Sequence, residues 1–204
     1  MKTKLKICGL KREEDIFMVN KILPEYIGFV FAKSKRQIDL KTALNLKSNL
    51  DNKIKSVGVF VNEPISNVIK IVESKAIDLV QLHGDEDNIY IEKLKNSVPI
   101  KIIKAIKVDK DFEKIIDFPK ADFLLVDSGS GSGKTFDWNI EIKVNKPLFI
   151  AGGINIDNIE EAYNCFHPFA FDLSSSVEIN GYKDFQKMRE ISLKLNALNG
   201  GYNE

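Results

Sequence analysis

The chain has 204 residues, 44% of them hydrophobic, enough for one domain with a substantial core. Its 30 Lys and Arg nearly cancel its 29 Asp and Glu, leaving a formal net charge of +1, without the one-sided basic surplus that a nucleic-acid partner demands. No apolar run approaches the roughly 18 residues of a membrane span, the run after the basic N-terminal segment is too short for a signal peptide, and two cysteines make no disulfide framework. A cytoplasmic protein with a small-molecule partner, and neither a nucleic-acid nor a membrane one, is expected.

Hydrophobic patterning predicts a strand over 5–8, a helix over 14–23, a strand over 26–31, a helix over 40–50 and a strand over 56–61. A helix over 65–74 follows, with Pro64 in its first turn, where the missing N–H costs nothing. A strand over 79–82, a helix over 87–95, a strand over 100–106 and a helix over 109–116 come next. The strand over 123–127 is followed by only a short helix near 136–142, then a strand over 148–151, a helix over 156–163, a strand over 170–173 and a helix over 183–195. Most strand segments are continuous apolar runs rather than alternating ones, as in a parallel sheet covered on both faces. Eight strands alternating with helices, with no break in composition, predict one (β/α)8 barrel domain over 1–204, near the lower size limit of that fold and with a short sixth helix. An open doubly wound sheet is the alternative.

In a barrel the loops that follow the strands share one face, and chemistry sits there. Cys8 closes the first strand and Gly9 follows, so a thiol stands beside a residue that lets a ligand approach the backbone. The competing reading is a buried, inert cysteine. Gln81 and His83 end the fourth strand. His83 has no second histidine or acidic partner at ligand spacing, so a metal site is rejected in favour of hydrogen bonding or packing. Asp127 ends a strongly apolar strand, whose surroundings raise a carboxyl pKa and suit a general acid; a turn residue before Ser128-Gly129 is equally compatible.

Gly152-Gly153 after the seventh strand and Ser174-Ser175-Ser176 after the eighth predict an anion site, glycine N–H groups and serine hydroxyls being the donors, aided by a helix N-terminus. Asp172 precedes those serines. The run Ser128–Thr135 lacks the first glycine of a P-loop and predicts a flexible lid over the barrel mouth. Arg36, one of only three arginines, follows the second strand and suits a carboxylate or a solvated loop. Cys165 and His167 near a helix end read as structural, and Trp138 as an anchor of the sixth connection.

Lys6-Ile7-Cys8-Gly9-Leu10, Gly28-Phe29-Val30-Phe31, Val57-Gly58-Val59-Phe60, Gln81-Leu82-His83-Gly84 and Val126-Asp127-Ser128 stand in that order along the chain. Gly133-Lys134-Thr135-Phe136-Asp137-Trp138, Ala151-Gly152-Gly153-Ile154 and Asp172-Leu173-Ser174-Ser175 follow. Together they make the chain resemble the phosphoribosylanthranilate isomerase family over nearly its full length. The resemblance implies a (β/α)8 barrel and a cofactor-free, metal-free Amadori rearrangement in tryptophan biosynthesis, in a monomer or homodimer. It implies Cys8 as general base, Asp127 as general acid and Arg36 on the anthranilate carboxylate. It also implies Gly152, Gly153, Ser174 and Ser175 on the phosphate, and Asp172 lining the pocket; Gln81, His83 and Ser176 join that lining.

Lys35 stands where the family often has proline, which predicts a looser Arg36 loop. Ser176 stands where it often has glycine, which predicts a differently shaped phosphate loop. A non-catalytic phosphometabolite-binding barrel and another phosphosugar isomerase or epimerase are the alternatives.

Overall fold

In the computed structural model, residues 2–107, 118–127 and 144–200 are described. Eight parallel strands form a closed barrel in sequence order: β1 (Lys4–Cys8), β2 (Tyr26–Val30), β3 (Lys55–Phe60), β4 (Leu79–Leu82), β5 (Lys101–Lys107), β6 (Phe123–Asp127), β7 (Leu148–Ala151) and β8 (Ala170–Leu173). β8 returns to pair with β1, with Lys4 opposite Ala170 and Lys6 opposite Asp172. The expected (β/α)8 barrel is therefore the fold. The helices among the described residues are α1 (Glu13–Ile22), α2 (Leu40–Ser48), α3 (Ile65–Glu73), α4 (Asn88–Ser97), α5 (Ile159–Phe166) and α6 (Phe185–Leu198). A small hairpin, β9 (Glu178–Ile179) with β10 (Tyr182–Lys183), lies between β8 and α6. The helix expected over 109–116, the short sixth helix, the Gly129–Gly133 lid and Trp138 lie outside the described residues. No described helix is long and apolar enough to cross a membrane.

The pleat explains why the strands read as continuous apolar runs. Leu5, Ile7, Leu124, Val126, Ile150, Phe171 and Leu173 face outward into the core shared with the helices. Their alternates Phe123, Leu125, Phe149, Ala151 and Ala170 face the barrel interior. The N-terminal end of the barrel is plugged by rings: Phe149 meets Tyr26 edge-on at 5.6 Å and Phe123 at 5.7 Å. Each such pair contributes about 0.5–1.5 kcal/mol beyond its area burial.

Local signals set the helix starts. The Asp39, Asp87 and Asp184 carboxylates accept from the N–H groups of Thr42, Tyr90 and Lys187 at the heads of α2, α4 and α6, each cap contributing about 1 kcal/mol. Asp15 caps α1 by accepting from the N–H groups of Lys11 and Arg12. Pro64 is the N-cap of α3 rather than a residue of its first turn. α5 begins three residues later than expected. Asn155 Oδ1 accepts from the N–H groups of Asp157 and Asn158 while Asn158 Oδ1 accepts from that of Asn155, so these residues form a turn before the helix.

One buried ion pair braces the barrel outside its lumen. Lys104 Nζ donates to Glu86 Oε2 at 3.0 Å and to the Gly84 carbonyl, while Glu86 also accepts from the N–H groups of Asn62 and Gly84. This ties β5 to the loops after β3 and β4. Glu86→Ala leaves a buried ammonium without its carboxylate, so urea unfolding should show a loss of about 3–5 kcal/mol. A loss under about 1 kcal/mol would mean that the brace is dispensable.

Candidate active site

The mouth at the C-terminal ends of the strands encloses a cavity of about 440 Å³, within the range of small-molecule sites. Every residue expected to carry function lines it: Cys8, Arg36, Gln81, His83 and Asp127, then Gly152, Gly153 and Asp172, and Ser174, Ser175 and Ser176. Residues 166 apart in sequence meet because β1 and β8 are neighbours.

Cys8 is the last residue of β1 and faces inward. It fits there because its neighbour on β2 is Gly28, where a Cβ would come within 2.5 Å of the Cys8 sulfur. Two residues earlier on the same face, Lys6 is fully buried, and its Nζ donates to Asp172 Oδ2 at 2.6 Å. Burial is the largest influence on the Cys8 thiol and pushes it up; Lys6 and Lys183 pull it down, Asp172 adds to the rise, and the net direction is up. Burial pushes the Lys6 ammonium down, but Asp172 and Cys8 outweigh it and the net direction is up.

Across the cavity, Gln81 Nε2 lies 2.8 Å from His83 Nδ1, and His83 Nε2 lies 3.2 Å from Asp127 Oδ2. With the amide donating to Nδ1, the imidazole proton sits on Nε2 and points at the carboxylate. His83 thus hydrogen-bonds, as one of its expected roles required. Gln81 Oε1 and Asp172 Oδ1 are buried acceptors with no partner among the described residues.

Arg36 is differently engaged from the expectation. Its Nε and Nη2 donate to Glu178 Oε1 and Oε2, both at 2.7 Å, in a two-pronged pair, and Lys183 Nζ donates to Glu178 Oε1 at 2.7 Å. Burial would raise Glu178, but the hydrogen bonds from Arg36 and Lys183 outweigh it and bring it down to about 2. Gly9 sits at φ +85°, and the space a Cβ would take is filled by the Arg36 side chain, 2.3 Å away. In the Arg36 loop the Arg36 N–H donates to Ser34 Oγ and Lys11 Nζ to the Lys35 carbonyl.

Gly152 and Gly153 both adopt positive φ, +85° and +69°, which only glycine takes at little cost. Ser176 does not take positive φ; it lies inside the 3-10 turn Ser175–Val177, so serine there carries no backbone strain. The expected helix N-terminus at this loop is only that turn. The Ser174 hydroxyl donates to the Cys8 carbonyl at 3.1 Å, joining the β8 loop to β1.

Lys6, Lys183 and Glu178 were not singled out in the sequence. A lysine in the middle of an apolar strand was the signal for Lys6. For Lys183 and Glu178 there was none, since both lie in a polar stretch. Cys165 is exposed on α5, and His167 ends that helix in the left-handed conformation.

The family model described as N-(5'phosphoribosyl)anthranilate (PRA) isomerase matches residues 5–193. An N-(5'-phosphoribosyl)anthranilate isomerase of Endomicrobium trichonymphae is 50% identical over 201 residues, 96% of this chain and 99% of the relative. The crystal structure of phosphoribosyl anthranilate isomerase from Thermotoga maritima superposes with a TM-score of 0.85 at 31% identity, covering 96% of this chain and 99% of that one. A phosphoribosyl anthranilate isomerase in complex with reduced 1-(o-carboxyphenylamino)-1-deoxyribulose 5-phosphate superposes with a TM-score of 0.82 at 30% identity, covering 96% and 99%.

Two outcomes follow from this geometry. Gly28→Ala should displace the Cys8 side chain and lower kcat at least tenfold, read by steady-state turnover; unchanged kcat would show that the thiol position is not critical. Glu178 is held below the roughly 4.3 of an unfolded glutamate, so its contribution to stability is complete above that pH and is lost as pH falls towards about 2. The melting temperatures of wild type and Glu178→Gln should therefore converge over that interval, and a constant gap would remove the assignment.

Proposed function

This chain belongs to the N-(5'-phosphoribosyl)anthranilate isomerase family, and from that membership we propose that Cys8 is its general base and Asp127 its general acid. The activity is the family's aldose–ketose isomerisation, a step of tryptophan biosynthesis. The observation that carries the assignment of residues is the meeting of Cys8 and Asp127, 119 residues apart in sequence, in one cavity.

Asp127 donates a proton to the furanose ring oxygen, the C1–O bond breaks, and the nitrogen lone pair forms a protonated Schiff base. That iminium acidifies the C2 proton, which the Cys8 thiolate removes. The C2–H electron pair moves into C1=C2, the C1=N π pair returns to nitrogen, and the resulting enolamine tautomerises to the ketone. His83, donating to one Asp127 oxygen, stabilises the carboxylate left after transfer. Gln81 Oε1 and Asp172 Oδ1 accept hydrogen bonds from sugar hydroxyls. The backbone of Gly152, Gly153, Ser174 and Ser175 receives the phosphate, with Ser176 at the rim. Arg36 offers its remaining Nη1 to the anthranilate carboxylate while Glu178 fixes its plane.

An ordinary carboxyl loses its proton below an ordinary thiol, and burial moves Cys8 further up. The resting sulfur is therefore the thiol, and its thiolate is the minor form. A thiolate base working with a protonated acid gives a bell-shaped kcat/KM profile whose alkaline limb lies above the free-thiol value of about 8.5.

Cys8→Ala and Asp127→Ala should each lower kcat by about 10²–10⁴-fold while keeping the affinity for the reduced product analogue. Loss of substrate fluorescence measures the first and calorimetry the second. Full turnover in either variant would falsify the assignment.

A further inference from the structure

The proposed base sits in an unfavourable place. Cys8 faces a cavity wall where its thiol is desolvated, and desolvation favours the neutral form. A thiolate there needs a cation that water does not supply. The charged groups around it come from every element at this side of the mouth. Lys6 lies beneath it on β1, Asp172 on β8, Lys183 on β10, and Arg36 in the loop after β2. Glu178 on β9 joins Arg36 to Lys183. Asp127, His83 and Lys107 complete the lining across the cavity.

Among these, Lys6 differs from the other cations. Arg36 and Lys183 share one carboxylate at the rim, and Lys183 also donates to the Ser174 carbonyl. Lys6 has no exposed surface, so it cannot meet substrate or solvent. It shares the inward face of β1 with Cys8, one pleat below, with no other residue between them on that face of the strand. Its partner, Asp172, is its backbone neighbour across the β1–β8 seam, so the ammonium is held by the carboxylate beneath the thiol. Asp172 Oδ1 has no partner among the described residues, and a substrate donor there would weaken its hold on Lys6.

We infer that Lys6 is a positioning residue for the isomerisation: its buried ammonium, held by Asp172, stabilises the minor anionic form of the Cys8 sulfur that removes the substrate C2 proton. The inference rests on Cys8 being the base. Lys6 touches no substrate atom; it acts through the sulfur. Asp172 sets how much of the ammonium's charge reaches that sulfur.

The test is the pH dependence of Cys8 alkylation by iodoacetamide, followed by mass spectrometry in a Cys165→Ser background. Cys165 is exposed on α5 and outside the cavity. Lys6→Met should move the alkylation midpoint up by about one to three pH units and lower the kcat plateau correspondingly, about 10- to 10³-fold, with KM nearly unchanged. Asp172→Asn should move the midpoint down. Lys6→Met combined with Asp172→Asn leaves no unpaired buried charge and carries the test if the single variant does not fold. Its midpoint should lie between those of wild type and Lys6→Met. A double-variant midpoint equal to wild type would make Lys6 merely the counterion of Asp172 and overturn the inference, as would an unmoved midpoint in Lys6→Met. The base assignment is read separately: alkylating Cys8 in the Cys165→Ser protein should abolish turnover, and retained turnover would remove that assignment whatever the midpoints show.

Discussion

A buried ammonium and a buried carboxylate, Lys6 and Asp172, meet where the barrel closes. Taking either charge out of water alone costs several kcal/mol, so each tolerates burial only because the other is there. Their contact needs the β1–β8 register to be correct. A slip of one residue would turn Lys6 outward into the apolar layer occupied by Leu5 and Ile7. The ion pair thus selects one closure of the sheet, and the same register brings Cys8 beside the β8 loop, where Ser174 holds its carbonyl. Closure of the fold and assembly of the cavity are one event at this seam.

A second charge cluster shapes the rim with a different balance. Arg36 and Lys183 converge on the single carboxylate of Glu178, so this cluster carries one more cation than anion. The surplus lies on the same cavity as the left-handed glycines Gly152 and Gly153. A fixed positive field next to exposed backbone N–H groups suits an anionic substrate without any mobile side chain having to be ordered on binding. Glu178 also fixes the guanidinium plane by accepting from both its Nε and its Nη2.

Much of this was legible in the sequence because the barrel writes its strands plainly. β6 and β7 are buried on both faces of the barrel wall, so 123–127 and 148–151 read as apolar runs and their boundaries coincide with the structure. Helix starts were less legible where side chains compete with the helix for backbone N–H groups, as Asn155 and Asn158 do before α5. In the site, Cys8, Asp127 and the glycine and serine loops could be found because the ends of parallel strands share one face. Lys6 could not be found that way. Its chemistry is a pairing with a residue 166 positions away, and a lysine in a strand otherwise reads as a solvated edge. Gly9 was legible as a close approach but not as to what approaches, since Arg36 reaches it from a different loop.

The cavity's uncommitted groups complete the argument for what it takes in. Gln81 spends its amide N–H on His83, and Asp172 spends one oxygen on Lys6, leaving Gln81 Oε1 and Asp172 Oδ1 buried and, among the described residues, unpaired. A buried acceptor without a donor costs about 1–3 kcal/mol, and a fold that only needed stability would replace it with an apolar group. Two such acceptors, with a thiol between cations on one side and an imidazole-bound carboxylate on the other, match a substrate that brings its own donors. A phosphorylated sugar does so through its hydroxyls, and a purely aromatic or aliphatic anion does not. The unsatisfied oxygens therefore favour a sugar-bearing substrate on grounds independent of the anion-binding loops, and their cost in the free protein is recovered when that substrate binds.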